Sequence, residues 1–336
     1  MKRIICFALT LVMLLSLVAC GKTEDPAPGT DGEVTTVEFP TKEITILCPW
    51  KEGGGVDVNS RLVAKYLDEM YGWTVVVENM TGGNTLPAAM ETLKRGGDGY
   101  TIFVNTNLSF LLAPQAYDAD FNPLEDFTAI ASNTTTPVYL SVASDNAYGI
   151  KTAQDFIDWC KANPGQATIA CGGIADVTGV AAYNACKAMG LDVELIPYDG
   201  SAETLLAVAG GHTMFASAPG AATARYAKEG TVLPLIDFAN LEDNVCGAPT
   251  IGSLGYAEAS IAQYRVAVVP SDTPDEVVQI LRDAFAAVCA NPDYIADNEA
   301  ANDPVVNVLI GDELTKKMAA DYATCTVIID ELGLKG

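Results

Sequence analysis

Histidine is almost absent from this 336-residue chain, with His212 the single one. One imidazole cannot build a His-rich metal site and leaves little for His-dependent acid–base chemistry. It follows Gly210-Gly211, a pattern that predicts a helix C-terminus, where a cation suits the dipole. Basic residues are scarce too, 19 Lys and Arg against 43 Asp and Glu, for a net charge of −24. Such a surface repels phosphate backbones, so nucleic acid is excluded as a partner class. None of the nine cysteines forms a Cys-x-x-Cys pair, which removes zinc-ribbon and thioredoxin-like readings. There is no Gly-x-Ser-x-Gly elbow; Gly252-Ser253-Leu254-Gly255 is one residue too short. A dinucleotide fingerprint fails as well. Gly53-Gly54-Gly55 follows a strand pattern and Glu78 lies near the acidic position, but Val58 stands where the last glycine belongs. No catalytic residue, metal or cofactor is expected.

What is present begins at the N-terminus. Met1-Lys2-Arg3 precedes an almost wholly apolar block over residues 4–18, closed by Leu17-Val18-Ala19-Cys20. This is an export signal, too short for a span of ~20 residues. Two readings stand, an ordinary signal or N-terminal anchor and a lipoprotein signal; the block resembles the latter, with Cys20 as the lipidated first residue. Two acyl chains anchor a protein stably where one does not. Removing residues 1–19 leaves 17 basic residues against 43 acids, a net charge of −26. Residues 20–39 are rich in Gly, Pro, Thr and acids and read as a flexible tether. At roughly 5–6 Å × √n, about 18 such residues reach ~20–25 Å. Cys48, Cys160, Cys171, Cys186, Cys246, Cys289 and Cys325 remain, an odd and scattered set that reads as small buried hydrophobes.

From residue 43 apolar runs of strand length alternate with apolar residues at helical spacing. The pattern predicts strands over 43–48, 73–77, 100–104, 138–143, 166–170, 193–196, 213–216, 232–238 and 265–269. Helices are predicted over 57–71, 86–95, 153–162, 177–189, 202–209, 275–290 and 313–332. Such alternation implies βαβ units, mostly parallel sheets and two α/β lobes. Four strands end in small turns that open helices: residues 49–57, 105–109, 171–178 and 197–201. Ligands of open α/β sheets bind at such strand ends. Backbone N–H groups at helix starts could hold a carboxylate there without Arg or Lys. The same turns also read as ordinary connections, with Asp57 and Ser201 as N-caps and Trp50 in the core.

The order of motifs adds to this. Phe39-Pro40, Ile44-Thr45-Ile46, Pro49-Trp50 with Gly53-Gly54-Gly55-Val56-Asp57, Val75-Val76-Val77-Glu78-Asn79 and Asp98-Gly99-Tyr100-Thr101 come first. Asp126-Phe127, Asn163-Pro164-Gly165, Pro197-Tyr198-Asp199-Gly200, Gly210-Gly211, Ala248-Pro249-Thr250-Ile251 and Leu254-Gly255-Tyr256 follow. From about residue 39 to 334 the chain resembles the substrate-binding proteins of tripartite tricarboxylate transporters, the Bug receptors. The resemblance implies a two-lobed periplasmic-binding-protein-like fold, type II-like, with strands crossing between lobes. Residues 40–135 plus 239–336 would form lobe 1 and residues 136–238 lobe 2, after a signal over 1–19 and a tether over 20–39. It implies a monomeric, non-enzymatic, extracytoplasmic receptor, lipid-anchored to the membrane. A small organic carboxylate would be its ligand, and a large and a small membrane subunit its partners. A carboxylate sensor that signals to a membrane partner is the alternative. The implied ligand contacts are Trp50, Gly54, Gly55, Asn107, Ser109, Gly173, Ala175, Asp176, Thr178 and Tyr198, with Ser217 the weakest. Four departures stand out: Val56 replaces a common Thr, the glycine stretch Met80-Thr81-Gly82-Gly83-Asn84 is short, Ala216 replaces a common Asp, and Asp176 replaces a common small hydroxyl residue. Asp176 would either face a polar part of the ligand or cap a helix.

Overall fold

The structure is a computed structural model that describes residues 37–198, 200–241, 245–301 and 303–334. The export signal, Cys20 and the tether up to residue 36 lie outside the described residues. Apolar β-branched runs form the first strands: β1 (Ile44–Cys48), β2 (Val75–Asn79) and β3 (Thr101–Thr106). Between and after them run α1 (Gly55–Tyr71), α2 (Leu86–Arg95) and α3 (Asn107–Ala116). β4 (Phe127–Thr136) and β5 (Val138–Ala143) follow, then α4 (Ala153–Ala162), β6 (Ala167–Cys171), α5 (Val177–Ala188), β7 (Val193–Pro197) and α6 (Ser201–Ala209). β8 (Phe215–Pro219), α7 (Gly220–Lys228) and β9 (Val232–Asp237) complete the middle of the chain. The last part holds β10 (Gln263–Pro270), α8 (Asp275–Cys289), α9 (Pro292–Ala300), β11 (Leu309–Ile310) and α10 (Asp312–Leu332).

Two sheets result, in strand orders β11-β4-β10-β3-β1-β2 and β7-β6-β8-β5-β9. The two-lobed α/β expectation holds, but the sheets are mixed rather than mostly parallel. β2-β1-β3 and β7-β6-β8 are parallel. β10 runs antiparallel between β3 and β4, and β5 runs antiparallel between β8 and β9. The reason is topological: strands that carry the chain between sheets enter each one from its opposite end. Pro137 alone separates β4 from β5. It has no N–H to donate, which suits the point where a strand changes sheets. The return passes Phe238, whose N–H donates to Val138 O at 2.8 Å, and Ile261, whose N–H donates to Phe238 O at 2.8 Å. The two crossings therefore run side by side.

The predicted spans of α2, β5 and α4 coincide with the observed ones, and other predicted ends move by no more than three residues. β4 has no counterpart in the predicted strands, because its second half, Ser132-Asn133-Thr134-Thr135-Thr136, is polar yet buried. Three of those side chains find polar partners, Asn133, Thr134 and Thr136, while Ser132 Oγ has none. Asn133 Nδ2 donates to Asn59 Oδ1 at 2.7 Å, and Asn59 Nδ2 reaches Asn298 Oδ1 at 2.9 Å and Tyr294 Oη at 3.2 Å. This chain of amides locks α1 and α9 onto β4.

Apolar packing supplies the rest. Phe103, Phe110 and Phe127 meet with ring centroids 5.2–6.2 Å apart. Six of the seven cysteines outside the signal and tether are buried thiols, and Cys246 is half-buried. Burial pushes Cys160, Cys171, Cys289 and Cys325 up to about 12. They pack as hydrophobes. Helix α10 lies against α3 and reaches α5, where Glu331 accepts from Lys187 Nζ at 2.6 Å and Tyr183 Oη at 3.1 Å.

Asp237, at the end of β9, is fully buried. Its Oδ1 accepts from Ala239 N at 2.7 Å, while Oδ2 has no partner. Burial pushes its carboxyl up to about 6 from 3.8. A raised folded-state value means that stability is full below about pH 4 and declines as pH rises through about 6. Asp237→Asn removes that decline. In urea unfolding its advantage over wild type should grow by roughly 2–3 kcal/mol between pH 4 and pH 7.

Candidate ligand-binding cleft

The carboxyl ends of the parallel strands in both sheets open onto two cavities of about 750 Å³ each. Trp50, Asn84, Thr85, Ser201, Pro219 and Gln263 line both, so the two join into one cleft.

On the first-sheet side the glycine turn leads from β1 into α1. Asp57 closes it: Oδ2 accepts from Gly53 N at 2.8 Å and Arg61 Nε at 3.1 Å, and Oδ1 from Asn79 Nδ2 at 2.8 Å. Burial opposes ionisation of Asp57, but Arg61 and the Gly53 and Asn79 donors outweigh it and hold the carboxyl below its usual range. Gly54 N donates to Lys51 O at 3.0 Å, so its amide is spent within the turn. Val58 N makes the first helical bond, to Gly54 O. The amides of Gly55, Val56 and Asp57 are then the ones without an acceptor inside the helix. Gly54, Gly55 and Val56 all line the first cavity.

Trp50 is 37% exposed and walls the cleft instead of joining the core. Its Nε1 donates to Asn105 Oδ1 at 2.9 Å. Asn105 Nδ2 donates in turn to Thr85 Oγ1 at 3.0 Å. Asn84 and Thr85 have φ of +52° and +70°, a conformation that non-glycine residues rarely adopt. Such strain concentrates where a site needs a fixed shape.

On the second-sheet side Asp176 caps α5. Its Oδ1 accepts from Thr178 N at 2.8 Å, Thr178 Oγ1 at 2.6 Å and Gly179 N at 3.1 Å. Desolvation raises its carboxyl, against the pull of these donors. Of the two roles expected for Asp176, the cap is the one its hydrogen bonds display. Thr178 Oγ1 also accepts from Gly172 N at 2.8 Å, and Ser217 Oγ donates to Thr178 O at 2.7 Å. Gly179 passes under the turn so closely that a Cβ there would sit 2.2 Å from Gly173 O. At α6 the N-cap is Gly200, with Ser201 the first helical residue, contrary to its expected capping role.

The structure thus brings Trp50, Gly54, Gly55, Ser109, Gly173, Ala175, Asp176, Thr178 and Ser217 to the walls of one cleft. Two expected residues fall outside these walls. Asn107 is buried and clamps the start of β10: its Nδ2 donates to Ala262 O at 3.1 Å, and its Oδ1 accepts from Tyr264 N at 3.2 Å. Tyr198 packs on the apolar cluster around Leu205 and Val208.

Sequence reasoning missed Arg265 and Asp303, which line the first cavity. Arg265 Nη2 lies 3.3 Å from Asp303 Oδ2. The signal available was a lone charge inside the apolar strand pattern Tyr264-Arg265-Val266-Ala267-Val268-Val269. The reading that amides alone could hold a carboxylate did not foresee this residue, which lines the cavity together with Lys51. β10 must cross the floor of the cleft, and its alternating side chains leave Gln263 and Arg265 on the open face. Among the described residues no three His, Cys, Asp or Glu side chains gather as metal ligands, and no helix is long and apolar enough to cross a membrane.

Two α/β halves that share chain crossings and enclose a cleft lined by helix starts define a solute-binding receptor. Residues 59–334 match the profile of the tripartite tricarboxylate transporter family receptor, TctC, and the chain belongs to that family. It is a family of extracytoplasmic receptors for transporters, not of enzymes. Among relatives, a protein of Cupriavidus necator described as the UPF0065 protein in the gbd 5′ region is 29% identical, covering 76% of this chain and 77% of its own. Protein BugT of Bordetella pertussis is 24% identical, covering 79% and 85%. A TctC solute-binding protein from Polaromonas superposes with TM-score 0.76 at 22% identity, over 88% of this chain and all of that one. R. palustris Rpa4515 with adipate gives 0.71 at 22%, over 88% and 99%. MatC of Rhodopseudomonas palustris with bound malate gives 0.65 at 20%, over 87% and 98%.

The capping geometry sets a measurable expectation. Asp176→Ala should lower the unfolding free energy by about 1 kcal/mol, while Asp176→Asn, an equally good cap, should stay within about 0.5 kcal/mol of wild type in urea unfolding.

Proposed function

We propose that this receptor captures a small organic carboxylate between its two sheets and passes it to the large and small membrane subunits of a tripartite secondary transporter. The cleft carries the reading. Helix starts from both sheets, α1 on one side and α5, α6 and α7 on the other, line its walls, and each turns the positive end of its dipole that way. In a chain of net charge −24, such a cavity is a local exception suited to an anion. Two related folds hold adipate and malate, both carboxylates, in keeping with this class. Closure would turn on the paired crossings at Pro137 and Phe238, with the ligand favouring the closed state by touching both sides. The receptor would act as a monomer, held to the outer face of the membrane by lipid on Cys20, with the tether spanning the gap.

Thermal-shift measurements over mono-, di- and tricarboxylates test the ligand class. A true ligand at about a hundred times its Kd adds about 2.7 kcal/mol to folding, a rise of several degrees in Tm. A panel without any such rise contradicts the reading. The anchor is tested separately by fractionating cells. Cys20→Ser should move the protein from the membrane to the soluble fraction, and retention at the membrane rules out the lipid.

A further inference from the structure

Arg265 is 6% exposed, and its guanidinium ends in the first cavity. A guanidinium keeps its charge at any ordinary pH and presents five N–H donors. Here Nη2 lies 3.3 Å from Asp303 Oδ2, while Nε and Nη1 have no hydrogen-bond partner. Asp303 cannot turn to serve them. Its Oδ1 accepts from Thr136 Oγ1 at 2.8 Å, its Oδ2 from Thr134 Oγ1 at 3.3 Å, and its N–H donates to Asn298 O at 2.9 Å. Buried donors left unpaired are costly, and more so on a charged group. Both nitrogens are shut off from solvent in this conformation. The side chain as a whole lines the first cavity, so a turn of the guanidinium toward that cavity would offer them to a ligand oxygen.

Gly55 shows how closely this group is tied to the glycine turn. A Cβ at Gly55 would sit 2.9 Å from Arg265 Nη2. Glycine there lets the guanidinium lie against the first turn of α1, which has 17 residues and amides without helical acceptors at its start. Guanidinium and helix start then line the same cavity. Asp303 neutralises the arginine, yet takes only one of its nitrogens.

We propose that Arg265 is the anchor for the ligand's carboxylate, binding it through its guanidinium beside the start of α1, with Asp303 as the counter-charge in the absence of ligand. This rests on the carboxylate-receptor reading and names the side chain that would give the site its anion preference. A carboxylate is the matching acceptor, since charge-assisted bonds to guanidinium are the strong ones.

The test uses the full chain, titrated by calorimetry and melted with succinate, malate, adipate and benzoate, each beside its uncharged amide, and with sulfate. Arg265→Gln alone strands a buried carboxylate, so it is paired with Asp303→Asn, which removes both charges together. For the tightest acid the double variant should lose at least about tenfold in affinity, while Asp303→Asn alone keeps or gains affinity. Equal affinity of double variant and wild type overturns the anchor and leaves the carboxylate receptor standing. If the acids do not act on the wild type but sulfate stabilises it and not the double variant, the anchor stands and the carboxylate reading falls. If neither acids nor sulfate stabilises the wild type, both fall. Should the double variant fail to fold, Arg265→Lys replaces it under the same tenfold threshold, because it keeps the charge and loses the fork.

Discussion

Everything about this receptor's shape depends on two stretches of chain that pass between the sheets side by side. One is Pro137, between β4 and β5. The other is the return through Phe238 to β10, joined to the first by the bonds from Phe238 to Val138 and from Ile261 to Phe238. The two crossings pair through their backbones, the first at a single residue and the return along the longer run from β9 to β10, and each sheet holds antiparallel strands beside its parallel ones. The same constraint sends β10 across the floor of the cleft. It also turns the carboxyl ends of the parallel strands, and the helix starts that follow them, toward a common space.

Within that space the chain spends many of its own polar groups on itself. Asp57 takes the Gly53 amide, Lys51 O takes that of Gly54, and Asp176 takes those of Thr178 and Gly179. These internal bonds give the turns their shape before any ligand arrives, which lowers the entropy lost on binding. They also narrow the set of donors left for a guest. Amides without helical acceptors remain at the first turns of helices such as α1, α6 and α7, and the Arg265 guanidinium lies beside Gly55. An acidic protein can recognise an acid in this way because helix dipoles and one guanidinium act at short range, whereas the surface charge is screened by salt over about 10 Å.

The polar core between α1, β4 and α9 has a matching role. Asn59, Asn133, Asn298 and Tyr294 form a buried chain of hydrogen bonds, and the Asn298 carbonyl receives the N–H of Asp303. Asp303 in turn lies against Arg265. A buried network of this kind is costly if incomplete and stiff when complete. Here it runs from the sheet's interior to Asp303 at the cleft wall, with Asn133 Oδ1 left without a partner.

Much of the architecture could be read from the residues in order. Apolar period and turn chemistry located most strands and helices, because each of those elements shows one face or both faces to an apolar core. β4 escaped, since its buried half faces amides and a carboxylate, and no local pattern announces a polar residue with distant partners. The glycine turns were visible as openings to helices, and nine of the eleven expected contacts do meet at one cleft. Asn107 and Tyr198 do not, because what they touch is decided by the return of the chain at Ala262 and by packing around Leu205. The sequence by itself determined the alternation of elements, the glycine turns and the excess of acid, all of which are local or additive properties. Tertiary structure alone decided which amides stay free and that a single arginine, with Asp303 38 residues further along the chain, sits beside Gly55. Those contacts join residues far apart in the chain, and only the crossing of β10 over the cleft floor brings them within hydrogen-bonding reach.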